Sequence, residues 1–136
     1  MNRGLVWAAG AMLTAAPAFA AKSDITGLWR TPDRGGLIEI TPCGKGICGK
    51  VLGGESGDPL DSLNKDPALR GRSLIGMTLF RNLRPVGRAW KGRIYNPDDG
   101  NTYDVTMTPR SPTRMDVRGC IVWPLCRGKD WVRVKG

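Results

Sequence analysis

Apolar and polar residues alternate strictly on both sides of one turn cluster, Asn96-Pro97-Asp98-Asp99-Gly100-Asn101, and that pattern admits little besides antiparallel β structure. Before the cluster, Trp90, Gly92 and Ile94 alternate with Lys91, Arg93 and Tyr95. After it, Tyr103, Val105 and Met107 alternate with Asp104, Thr106 and Thr108. Successive side chains of a strand point to opposite faces, so this is a hairpin with one buried and one wet face. Gly100 suits the positive φ that a tight turn demands. The alternation resumes in residues 115–122, where Met115, Val117, Gly119 and Ile121 oppose Asp116 and Arg118.

Elsewhere, 19 glycines and 10 prolines cut the chain into short runs, and no stretch keeps a 3.6-residue apolar period for three turns. The sequence predicts an all-β fold with no long helix. Its eight strands fall near residues 27–31, 36–42, 47–53, 73–80, 90–95, 103–109, 115–122 and 129–134. Sequential antiparallel strands with one apolar face close most simply into a small up-and-down barrel; a two-sheet sandwich is the alternative. One connection is out of proportion, from Gly53 to Arg72. Loops that long in a small domain are functional or self-packed. It contains Asp66 as an N-cap, Pro67 at the first helical position and Gly71 as a stop. It also gathers Glu55, Asp58, Asp61 and Asp66, without the every-second-residue order of a calcium loop, so caps and turns are their expected work.

The first 20 residues read as a cleavable secretion signal. Arg3 is followed by an apolar run too short to span a bilayer and by Ala18-Phe19-Ala20, which places the cut after Ala20. An uncleaved anchor is the rival reading. Residues 21–136 then form a single domain, one cation less basic than the whole chain's +9, with no transmembrane segment, in the periplasm or outside the cell. Export favours disulfides. The spacings of Cys43 and Cys48 and of Cys120 and Cys126 suit bridges across tight hairpins and favour those pairs over the crossed ones. The rival, a four-cysteine zinc site, needs a reducing setting and shorter spacing.

Between Pro67 and Pro97 there is no acid, while Arg70, Arg72, Arg81, Arg84, Arg88, Lys91 and Arg93 are all basic. Three of them lie in an Arg81–Ala89 connection. Such a patch either keeps the surface solvated or engages an anionic envelope component; nucleic acid is a poor partner for an exported protein. The chain has no histidine, no nucleophile elbow, no metal-ligand set and no phosphate loop, so neither an enzyme nor a cofactor is expected.

Several blocks together resemble one bacterial family. They are Gly27-Leu28-Trp29, the Cys43…Cys48-Gly49 hairpin, Asp66-Pro67-Ala68-Leu69-Arg70-Gly71-Arg72, Trp90-x-Gly-x-Ile-Tyr-Asn-Pro-x-x-Gly-x-x-Tyr103, and Val117-Arg118-Gly119-Cys120…Cys126…Trp131-Val132-Arg133-Val134. The chain resembles the exported proteins of the DUF2147 family from about Thr26 to Val134. That resemblance implies a lipocalin-like barrel in the envelope or outside the cell, with no established activity. Lipocalin-like barrels carry Gly-x-Trp at the start of the first strand, and here Trp29 is expected to plug one end with Arg133 stacked on its ring. The inward candidates Ile38, Ile40, Trp90, Ile94, Tyr103, Val105, Met107, Met115 and Val117 are mostly bulky. They predict a filled centre with at most a shallow pocket at one end. A small apolar or amphipathic ligand is expected in that mouth, beneath the 53–72 loop. Trp90 and Tyr103 would meet its body, and Arg70 and Arg72 an anionic head. The alternative is an envelope interaction module that uses the basic face and no cavity.

Overall fold

Eight antiparallel strands close into a barrel in chain order. In the computed structural model these are β1 (Gly27–Arg30), β2 (Leu37–Cys43), β3 (Gly46–Gly53), β4 (Thr78–Val86), β5 (Ala89–Asn96), β6 (Asn101–Ser111), β7 (Arg114–Val122) and β8 (Leu125–Arg133). Each pairs with the next, and β8 returns to β1. The sandwich alternative is thereby excluded. The structure describes residues 24–54 and 57–134, together with positions 4 and 9–11. Apart from those four positions, the segment read as a signal, with its cleavage point, lies outside the described residues.

The registers follow from the alternation. Trp90 faces Met107, Gly92 faces Val105 and Ile94 faces Tyr103, so the apolar rows of β5 and β6 coincide on one side of the wall. One end of the barrel is packed solid: Ile25, Trp29, Ile40, Leu83, Met107 and Met115 are almost fully buried. The Trp29 indole donates from Nε1 to the Ile25 carbonyl at 2.8 Å. Above it the Arg133 guanidinium stacks at 4.4 Å from the ring centre. Arg133 also donates to the carbonyls of Pro112 at 2.8 Å, Thr26 at 2.6 Å and Asp24 at 2.8 Å. The β1–β8 seam has just two residue pairs, Trp29 with Arg133 and Arg30 with Val132. This one side chain therefore reinforces the barrel where its strand pairing is shortest.

Two strands differ from the sequence reading. The fourth covers Thr78–Val86, not 73–80, so most of the supposed Arg81–Ala89 connection is strand, and Arg81 and Arg84 are exposed wall residues. The cause is irregularity. Asn82 has φ of 60°, and the β3–β4 register shifts twice, so Leu79 and Phe80 are buried in succession and Leu83 follows. A period of two does not survive such a bulge. The eighth strand starts at Leu125 instead of 129, which makes Arg127 and Lys129 ladder residues opposite Gly119 and Val117. Disulfides join Cys43 to Cys48 at the β2–β3 turn and Cys120 to Cys126 at the β7–β8 turn, leaving no free thiol for zinc.

Candidate functional site: the barrel mouth

At the end opposite Trp29 the inward positions become small. Gly36, Gly53 and Gly119 stand where bulky residues would fill the interior, and the barrel opens into a cavity of about 670 Å³. Its apolar wall comes from Ile38, Val51, Leu79, Ile94, Val117 and Trp131, with Tyr103 near the rim. The expectation of a filled centre holds for half the barrel and fails for the other. Ile40, Met107 and Met115 pack the closed end, whereas Ile38, Ile94, Tyr103 and Val117 line open space. Trp90 is half-buried against the core opposite Met107 and does not line the cavity.

The rim is charged and tied together. Arg34, from the β1–β2 connection, donates to Asp98 of the β5–β6 turn at 2.6 Å and to the Asp58 carbonyl of the long loop at 3.1 Å. One guanidinium thus joins three loops around the opening. Lys129 pairs with Asp33. Asp58 accepts from the Ser62 hydroxyl and from the Leu60 amide, which hold its carboxyl below the ordinary value. The Tyr103 hydroxyl donates to Asp99, and that bond pushes the phenol up. Arg127 also lines the mouth, and among the described residues it has no ion pair.

The long connection between β3 and β4 is self-packed around a carboxylate. Asp61 is fully buried and accepts from the Tyr95 hydroxyl at 2.6 Å, Asn64 Nδ2 at 2.8 Å and Arg72 Nε at 2.9 Å. Burial alone pushes Asp61 up; the three hydrogen bonds and the Arg72 charge outweigh it and hold the carboxyl below its ordinary value. Burial and the bond to Asp61 push the Tyr95 phenol up to about 12. Arg70 donates to the Asn64 carbonyl at 2.7 Å. Asp66 caps the 3-10 turn Pro67–Leu69 by accepting from the Ala68 amide at 3.0 Å. Arg70 and Arg72 therefore hold the loop together, and neither lines the cavity.

The match to known proteins agrees with this architecture. Residues 27–133 fit the family model described as "Uncharacterized protein conserved in bacteria (DUF2147)". The chain belongs to the DUF2147 family. Among solved structures, this DUF2147 chain is similar to the protein HP1028 from Helicobacter pylori, described as belonging to the lipocalin family. The two share 24% identity over 82% of this chain and 84% of the other, with a TM-score of 0.75. At that identity the likeness is one of fold. No curated protein matches the chain.

In this DUF2147 chain, sequence reasoning placed Tyr103 at the mouth and missed Arg34, Arg127 and Lys129. The signal for the last two was present: continuing the alternation of Trp131 backwards puts Lys129, Arg127 and Leu125 on the inward face. Among the described residues no three His, Cys, Asp or Glu side chains are grouped to hold a metal ion.

Proposed function

We propose that this protein binds one small apolar or amphipathic molecule in the barrel mouth, without turnover, after export through a signal in residues 1–20. The observation that carries this reading is the cavity of about 670 Å³, apolar along its wall and charged at its rim. Ligand sites are commonly 300–1,000 Å³ clefts of this make-up, and the mouths of β-barrels are among their usual places. The apolar body lies against Ile38, Ile94 and Val117. An anionic head meets Arg127, whose charge no carboxylate pairs among the described residues. Arg70 and Arg72, already committed inside the loop, have no part in it. Binding without chemistry fits a chain that has no histidine.

Thermal-shift titration with fatty acids, detergents and isoprenoids tests this. A true ligand raises stability by about 2.7 kcal/mol at a hundredfold excess over its Kd. Gly119→Leu should abolish the shift. A Cβ at Gly119 makes ordinary contact with Tyr103 Cβ at 3.6 Å, and the added side chain then occupies cavity space. The rival use of the protein is attachment to anionic envelope polymers through the outer wall, where Arg84 and Lys91 are exposed cross-strand neighbours. No shift with any apolar ligand, together with salt-sensitive polymer binding, would decide for that reading.

A further inference from the structure

The β7–β8 hairpin tip carries its large apolar side chains on the outside. Ile121, Val122, Trp123 and Leu125 are 69%, 66%, 80% and 69% exposed. Exposed apolar residues are ordinary when scattered, but four in a stretch of five at one turn need a use. The Cys120–Cys126 disulfide crosslinks the base of this tip. Ile121 and Leu125 also line the cavity, so the tip stands on the rim of the mouth, as does Ile75, another strongly exposed apolar residue.

We propose that this tip is a membrane finger, which enters the interfacial layer of a bilayer bearing anionic head groups and sets the barrel mouth against it. The charge pattern selects that partner. From Val117 to Lys129 there is no acid, and Arg118, Arg127 and Lys129 stand behind the apolar tip. Asp116 and Asp33 pair with Arg118 and Lys129, and Arg127 has no carboxylate within ion-pair distance among the described residues. An apolar wedge with an aromatic residue and a basic collar is the chemistry of interfacial binding: the side chains leave water while the cations meet phosphate. A projecting hairpin tip also suits a deformable bilayer better than a rigid protein surface, which would need a matching groove. Val122 and Trp123 do not line the cavity, so docking through them stands whether or not the cavity holds a ligand. Where both readings hold, an apolar molecule passes between bilayer and cavity without crossing water.

Vesicle co-sedimentation tests the proposal with residues 21–136 at low and moderate salt. One vesicle set is equimolar phosphatidylglycerol and phosphatidylcholine; the other is phosphatidylcholine alone. The protein should partition into the anionic set, and quenching by brominated acyl chains should reach Trp123. The double variant Val122→Ser, Trp123→Ser should bind about tenfold more weakly or less, as expected when large apolar side chains no longer leave water. Both positions are exposed, so the thermal midpoint should not move, and the variant should keep any ligand-induced shift that the wild type shows. Three results would overturn the proposal. They are no partitioning into either set; binding that the variant retains in full, which would assign it to the basic wall; and concentration-dependent self-association that the variant abolishes without any lipid binding, which would make the tip a contact between copies.

Discussion

Arg133 and Gly27 act as one device. The Gly27 backbone has φ of +121°, and a Cβ there would come within 2.9 Å of Arg133 Nη1. Glycine is required twice over, by conformation and by the guanidinium that crosses it to reach the Thr26 carbonyl. Three carbonyls in different directions and an indole face use the planar fork of arginine, which a lysine cannot reproduce. Trp29→Ala is expected to cost about 3–5 kcal/mol, as truncations of large buried aromatics do. Arg133→Ala should cost about 2–3 kcal/mol, with Arg133→Lys recovering little of it. Urea denaturation monitored by circular dichroism measures all three. An Arg133→Lys variant as stable as wild type would show that the stacked charge, and not the fork, closes the seam. The pairing of these residues was legible in the sequence through the Gly-x-Trp block. The three carbonyls were not, because backbone acceptors leave no mark on residue identity.

Among the elements, those with a strict period were readable and those with a bulge or a distant partner were not. β5 and β6 announce themselves through their alternation, whereas the left-handed Asn82 and the register shifts beside it disguise β4 as a basic connection. The loop between β3 and β4 hides its organiser for another reason. Asp61 looks like any turn carboxylate, and its partner Tyr95 lies 34 residues away in sequence, on a strand whose alternation assigns it to the wet face. The titrations give this loop a pH window. Asp61 holds its proton less tightly when folded, so its contribution is complete above the ordinary carboxylate value of 3.8 and is lost as pH falls through the lower folded one. Tyr95 holds its proton more tightly, so its contribution is complete below the ordinary value of 10.0 and fades as pH rises through about 12. Protection of the amides in residues 57–77, with exchange rates corrected for the intrinsic pH dependence, should therefore hold steady between these limits and fall outside them. Asp61→Asn should flatten the acid side of that profile; an unchanged acid limb would move the titration to another carboxylate. Gly100→Ala should loosen the same loop from below. Gly100 has φ of +72°, and its Cα faces the Leu63 carbonyl with no room for a methyl group, so limited proteolysis in the loop should accelerate.

The molecule as a whole is held by ladders, with its covalent links kept local. The two disulfides span sequence separations of 5 and 6, so each removes little unfolded-state entropy, on the order of 2 kcal/mol by the chain-entropy account. Reduction should lower the unfolding midpoint and leave the barrel's far-ultraviolet dichroism in place; loss of the fold on reduction would mean that the hairpin turns cannot form without their links. Closure instead depends on β1 meeting β8, and that seam has a directional consequence. Because β1 begins and β8 ends at the packed pole, Gly27 and Arg133 stand on the same side of the molecule, opposite the cavity. A linker, surface or reporter attached beyond either flank therefore leaves the opening unobstructed. Joining the two flanks and cutting the chain at the exposed Gly87-Arg88 turn should give a circular permutant with the mouth intact.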